Sequence, residues 1–187
     1  MIINLTFIRY YFVFMDLLKI YMDTSSSQHN ISKLSSTPSQ PLSFRDLLPR
    51  ERIKLDVRVD TWQDAIREAG KLLLSSHSIT PEYIDAMICT AEELGPYIVI
   101  AKGIAMPHAS PESGAIKTAL SLVRLSTPIE FGNPDNDPVQ LVFGLVATDG
   151  KIHINAMRTL AELIMNKEKI AQLFTAPDID SICNLLF

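Results

Sequence analysis

Apolar residues recur with two different periods between residues 52 and 96, which predicts one strand followed by two helices. In the segment Arg52–Val59, apolar and charged residues alternate, as in a strand with one buried face. From Trp62 onward the apolar residues recur at helical spacing, and the preceding Thr61 is placed to cap the helix. A second helix is predicted between Thr80 and Gly95, because proline follows the first of these residues and glycine ends the apolar stripe.

The rest of the chain alternates between β-prone and helical segments. The β-prone runs are Tyr97–Ile100, Thr118–Leu125 and Val139–Ala147, and the last is almost entirely apolar, as expected for a strand covered on both faces. Helices are predicted at His153–Ile164, Lys167–Phe174 and Asp178–Leu186. This order predicts an α/β fold, a three-layer sandwich in which a central mixed sheet is flanked by helices on both faces. We expect one such domain over residues 42–187.

The N-terminal segment has a different character. Residues 1–22 are strongly apolar, but Arg9, Asp16 and Lys19 interrupt them, so no stretch is long enough for a transmembrane helix and no stable membrane insertion is expected. They could form an added helix or a weak membrane-surface segment. Alternatively, they could be translated sequence ahead of a later start codon, and then they would not be native. Residues 23–41 are rich in serine and threonine and predict a disordered leader.

Charge and composition exclude several classes of partner. The formal net charge is −4, with 17 basic and 21 acidic residues and no basic cluster, which argues against a nucleic-acid partner. Cys89 and Cys183 have no metal-ligand spacing, so we expect both to be buried small apolar residues in a reducing, cytoplasmic protein. No glycine-rich phosphate loop is present, and neither a cofactor nor a metal is predicted.

The most unusual local sequence surrounds His108. Pro107 has a fixed φ and restricts the residue before it, so the sequence predicts an imidazole that is rigidly presented from a loop. With an ordinary pKa of about 6.5, imidazole is mostly neutral at pH 7, and one ring nitrogen can attack phosphorus. The sequence does not indicate which nitrogen would react. A lone histidine after proline is weak evidence, because such residues are more often structural.

A second histidine strengthens the prediction. His153 lies where an apolar strand passes through a turn into a helix, and a helix N-terminus has backbone N–H groups that favour an anion. It could therefore contact a phosphoryl group carried by His108; the alternative is that His153 only caps its helix. We take His108 and His153 as the candidate catalytic residues.

The segment Gly103–Ala109 resembles the phosphorylation motif of the enzyme IIA components of the bacterial sugar phosphotransferase system, in the mannitol–fructose superfamily. His153 lies where that family has its second active-site histidine. The resemblance implies a type-2 enzyme IIA domain over residues 42–187, a phosphotransferase that accepts a phosphoryl group from phospho-HPr on His108. It also implies onward transfer to a cysteine of a cognate IIB protein.

Within the superfamily, several stretches resemble the ascorbate-specific branch: Thr61–Ala65, Gly95–Tyr97, Ala105–His108 and Asp135–Val139. This implies uptake of ascorbate or a related sugar. Mannitol- and fructose-type members usually have an arginine near the end of the preceding helix, and residues 90–94 contain none. The alternatives are a regulatory IIA-like module that signals by its phosphorylation state, and a non-enzymatic binding domain with an incidental Pro-His turn.

Three nearby features have weaker interpretations. Lys102 could supply positive charge to the site, although a solvated lysine fits as well. Ser110 could contact the phosphoryl group or simply form the turn after His108. The run Asp135–Pro138 predicts a surface loop with Asx turns rather than a metal site.

Overall fold

The structure is a computed structural model that describes residues 43–187, without the side chains of residues 151, 152, 154 and 155. The predicted segments 1–22 and 23–41 lie outside the described residues. The α-helices are α1 (Phe44–Leu47), α2 (Trp62–Ser75), α3 (Glu82–Leu94), α4 (Gly150–Met165), α5 (Lys167–Thr175) and α6 (Ile179–Leu186). The strands are β1 (Ile53–Val57), β2 (Val99–Ala101), β3 (Ile104–Ala105), β4 (Ala119–Ile129) and β5 (Val139–Val146). Short 3-10 turns occupy Arg50–Arg52, Pro96–Ile98 and Pro111–Ser113.

The five strands form one mixed sheet in the order β1-β4-β5-β3-β2. The long strands β4 and β5 pair antiparallel in its centre, whereas β1 and β3 run parallel to their central neighbours. β2 pairs antiparallel with β3 at the edge. The mixed sheet predicted from the sequence is confirmed.

Helices cover both faces of this sheet, as predicted. α2 and α3 pack on one face around Val123 and Val142, and α1, α4, α5 and α6 pack on the other around Leu122 and Phe143. β5 contributes buried side chains to both clusters, which explains why its sequence is almost entirely apolar. No helix within residues 43–187 is both long and apolar enough to cross a bilayer.

Local signals place most elements correctly, but several details differ. Thr61 Oγ1 accepts a hydrogen bond from Asp64 N at 3.2 Å, so the predicted N-cap of α2 is present. The sequence did not predict α1 or β3, and α4 begins at Gly150, before the predicted start at His153. The predicted strand at residues 97–100 is a 3-10 turn followed by β2. Both cysteines are half-buried rather than buried, so that expectation is wrong.

The loop of residues 131–138 is held to the β2–β3 hairpin by polar contacts. Asp137 Oδ2 accepts from the backbone N–H groups of Phe131, Gly132 and Asn133, at 2.9, 2.6 and 2.8 Å. The Asn133 side chain accepts from two following amides, an Asx turn that begins before the predicted run Asp135–Pro138. It also donates to the carbonyls of residues 96 and 99. Gly103 N donates to the Asn136 carbonyl at 2.8 Å. The loop therefore supports the hairpin that leads to His108.

We predict that Asp137→Ala lowers the free energy of unfolding by roughly 1–3 kcal/mol, because three amide donors lose one shared acceptor. Denaturant unfolding measures this loss. Asp135→Ala is the matched control, since Asp135 is exposed in the same loop and should change stability by less than about 0.5 kcal/mol. Equal losses for both variants would contradict the role given to Asp137.

Candidate functional site

The backbone before His108 is fixed on both sides by the sheet. β3 pairs with β5 through Ile104 and Ala105, and beyond the strand Leu145 N still donates to the Pro107 carbonyl at 3.0 Å. On the other side, Met106 N donates to the Ile98 carbonyl at 2.7 Å. The motif is thus the continuation of a strand between two neighbours, and the rigid presentation predicted from Pro107 is also a property of the sheet.

Tyr83 of α3 fixes the residue that follows His108. Its fully buried hydroxyl accepts from Ala109 N at 3.2 Å and lies 2.9 Å from the Ala109 carbonyl oxygen and 3.2 Å from that of Leu145. Burial raises the pKa of Tyr83, so the hydroxyl keeps the proton that it donates. Sequence reasoning missed this residue, because its position in α3 reads only as part of an apolar helix face.

The geometry of the His108 ring indicates which of its nitrogens carries the proton. Nδ1 lies 3.0 Å from the carbonyl oxygen of Met106. A carbonyl oxygen only accepts hydrogen bonds, so Nδ1 must carry the proton and donate. The lone pair of the neutral ring is then on Nε2.

The structure brings the two predicted site histidines together. The ring centroids of His108 and His153 are 5.4 Å apart, with 46° between the ring planes. His153 lies in the first turn of α4, where its backbone N–H donates to the Asp149 carbonyl at 2.9 Å. It is therefore inside the helix, and the alternative that His153 only caps the helix does not fit.

The site is more enclosed than the sequence predicts. A ring that is presented from a loop should be accessible to solvent, but His108 is only 2% exposed, so that part of the prediction is wrong. His153 is 5% exposed. The physical reason is that side chains from other elements cover the motif: the Tyr97 ring stands edge-on to His108, with centroids 6.0 Å apart and an interplanar angle of 75°. Exposure of a ring depends on these remote residues and not on the motif alone.

Enclosure keeps both imidazoles neutral. Burial lowers the pKa of His108, although the Met106 carbonyl acts in the opposite direction by favouring a proton on Nδ1. Burial, together with the neighbouring His108, lowers the pKa of His153 to about 3. At pH 7 the site thus holds two uncharged imidazole rings side by side.

Lys102 and Ser110 do not take part in this cluster. Lys102 Nζ donates to the carbonyls of Asp135 and Asp137 at 3.3 and 3.0 Å, so the exposed lysine binds the 131–138 loop. Ser110 Oγ donates to the Glu112 carboxylate in the turn after His108, which fits a turn role. Within the described residues, no group of His, Cys, Asp and Glu side chains is arranged to hold a metal ion.

The lowered pKa values predict acid sensitivity of the fold. A histidine in the unfolded chain titrates near pH 6.5, so below about this pH the unfolded state binds more protons and the free energy of unfolding decreases. For His153 the loss continues toward pH 3, with a slope of at most about 1.4 kcal/mol per pH unit. We expect the pH dependence of Tm between pH 6.5 and 4 to be shallower in His153→Gln than in wild type.

Thermal unfolding across this pH range measures the effect. His77→Gln, which removes an exposed imidazole, is the matched control. If His153→Gln and wild type lose stability with the same slope, burial of a neutral His153 is not the cause of acid sensitivity.

The chain is similar in sequence to known proteins. Residues 46–187 match the family model described as "Phosphoenolpyruvate-dependent sugar phosphotransferase system, EIIA 2". The chain is 41% identical over 113 residues to the ascorbate-specific PTS system EIIA component of Escherichia coli K12, covering 60% of this chain and 73% of that protein.

Solved structures share the fold. The mannitol-specific cryptic enzyme IIA CmtB of E. coli superimposes with a TM-score of 0.71 at 36% identity, over 78% of this chain and 98% of that one. The E. coli mannitol enzyme IIA, solved in complex with phosphorylated enzyme IIB, gives a TM-score of 0.66 at 28% identity, over 73% and 94% of the two chains. The chain therefore belongs to the EIIA type-2 family of the phosphoenolpyruvate-dependent sugar phosphotransferase system and is a phosphocarrier of that system.

Proposed function

We propose that Nε2 of His108 accepts the phosphoryl group from phospho-HPr and passes it to a cysteine of a IIB protein, for the uptake of ascorbate or a related sugar acid. The observation that carries the proposal is the hydrogen bond from Nδ1 to the Met106 carbonyl, which leaves the lone pair on Nε2 of a ring whose centroid lies 5.4 Å from that of His153. Such a neutral, fixed ring is what nucleophilic attack on phosphorus requires.

The transfer balances without an added proton. The Nε2 lone pair forms a bond to phosphorus, the P–N bond of the donor histidine breaks, and its electron pair returns to the donor ring. Nδ1 of His108 keeps its proton throughout and continues to donate it in the hydrogen bond to the Met106 carbonyl. In the second step the thiolate of IIB attacks phosphorus, and the P–N electron pair returns to Nε2.

The phosphoryl oxygens need hydrogen-bond donors in this enclosed site. A neutral His153 has one ring N–H, and the ring lies close enough to His108 to donate it to a phosphoryl group there. The first turn of α4 adds the partial positive charge of a helix N-terminus. Because His108 is almost fully covered, the docked partner must open the Nε2 side of the ring before transfer.

The choice of sugar and partners rests on similarity. The relatives at about 41% identity are named ascorbate-specific, and the stretches Thr61–Ala65 and Gly95–Tyr97 resemble that branch. A IIB acceptor is supported by the solved complex of the mannitol enzyme IIA with phosphorylated IIB. HPr as donor follows from the resemblance of the Gly103–Ala109 motif.

We predict that His108→Gln abolishes phosphate incorporation, because the only proposed nucleophile is removed. The assay incubates the chain with radiolabelled phosphoenolpyruvate, enzyme I and HPr; wild type should acquire an acid-labile, base-stable label that maps to His108. The label should then chase onto an ascorbate-type IIB faster than onto a mannitol-type IIB.

His77→Gln is the control for loss of an exposed histidine and should label normally. Labelling of a folded His108→Gln variant at the wild-type rate would refute the proposed phosphorylation site. A labelled chain that transfers to no IIB protein would instead indicate a regulatory module.

We predict that His153→Ala still accepts label but transfers it roughly 10²–10³-fold more slowly, as expected for loss of one transition-state donor. Rapid-quench measurement of the forward and reverse rates checks this, with circular dichroism to establish that the variant is folded. Unchanged rates in both directions would reduce His153 to a packing residue.

A further inference from the structure

A cleft with a volume of about 340 Å³ lies between the N-terminal end of α2 and the C-terminal end of α3. Its walls include two aromatic rings, a carboxylate, an amide and the turn that precedes β2. The residues used below are Trp62, Gln63, Glu92, Pro96, Ile98 and Phe131. Trp62, Ile98 and Phe131 also pack in or against the core cluster beneath α2 and α3, but the phosphoryl transfer assigns no role to the cleft itself.

The chemistry of the cleft favours a cation. The rings of Trp62 and Phe131 lie 6.1 Å apart, centroid to centroid, and are tilted by 41°. Phe131 is largely buried and Trp62 is half-buried, so the accessible part of this aromatic wall is the Trp62 ring backed by Phe131. Exposed Glu92 adds a carboxylate at the edge. The last turn of α3 contains no basic residue, so no side chain of this turn offsets the negative end of the helix dipole. Aromatic faces with a carboxylate bind lysine and arginine side chains well.

The cleft is next to the phosphoryl site. Pro96 and Ile98 line it, and Tyr97 between them stands edge-on to His108. A protein that docks over His108 therefore covers a surface close to the cleft. The distance from the Tyr97 ring centroid to that of His108 is 6.0 Å.

We propose that this cleft binds a lysine or arginine side chain of the IIB protein while IIB receives the phosphoryl group from His108. The inference rests on the proposed function. IIB is favoured over the donor because Trp62, Gln63 and Pro96 lie in the two stretches that resemble the ascorbate-specific branch. Part of the cleft lining thus resembles the ascorbate-specific branch, and the IIB protein is the partner that belongs to that branch.

The kinetic test compares two glutamates at the end of α3. Glu92→Gln should lower kcat/KM for transfer to a purified ascorbate-type IIB protein by about 3–10-fold at low salt, and the difference should shrink at high salt. Glu93→Gln is the matched control, because this substitution removes the same charge. Glu93 accepts a hydrogen bond from the Cys89 thiol and does not line the cleft. This control should stay within about twofold of wild type.

The outcomes separate this inference from the proposed function. If wild type accepts no label from the donor, the proposed function fails, and the inference fails with it. If wild type labels normally but Glu92→Gln transfers to IIB as wild type does, only the inference fails. An equal loss in labelling by the donor would also overturn it, because the cleft would then not be selective for IIB.

A binding measurement reports on the cleft directly. Trp62 is the only tryptophan of the chain, so 5-fluorotryptophan labelling gives one ¹⁹F resonance from this wall. We expect it to shift when unlabelled IIB protein is added to wild type, and to shift much less in Glu92→Gln. A resonance that does not respond to IIB overturns the inference. A resonance that shifts on deletion of residues 1–40 also overturns it, because the shift would mean that this segment occupies the cleft in the full chain.

Discussion

The hydrogen bond between His108 Nδ1 and the Met106 carbonyl is the interaction on which the site depends. It sets the tautomer, and the tautomer decides which nitrogen has a lone pair. The carbonyl is itself held in place, since Met106 N donates to Ile98 and Leu145 N donates to Pro107. The register of three neighbouring strand segments therefore determines the chemistry of one imidazole ring.

Two supports keep that register. On the α3 side, the buried hydroxyl of Tyr83 connects Ala109 to β5, so the helix, the motif and the central strand share one polar contact. At the other end of the hairpin, the Asp137 carboxylate accepts hydrogen bonds from three amides of the 131–138 loop. The Asn136 carbonyl of that loop accepts from Gly103 N. Both supports contact the backbone around the motif and not the His108 ring, so both act by restricting backbone movement.

The fold was predictable wherever the signal was local. Alternation in Arg52–Val59 and the helical stripes reflect burial of one face, which the order of residues records directly. β3 was missed because Ile104–Ala105 is too short to show a period, and its strand geometry comes from pairing with β5. The motif predicted His108, and the position of His153 after a strand and a turn predicted its partner. The contact of Tyr97 with His108 was not predicted, because no neighbouring position in the sequence specifies it.

Two neutral rings in an enclosed site have a consequence for the order of partner exchange. In the proposed transfer, a phosphoryl group brings about −1.5 to −2 units of charge at pH 7 into a site where neither imidazole is charged. The loaded and empty forms thus present different electrostatic surfaces around one nitrogen. A partner suited to the loaded form loses that attraction as soon as it takes the group, so release of the product follows from the transfer itself.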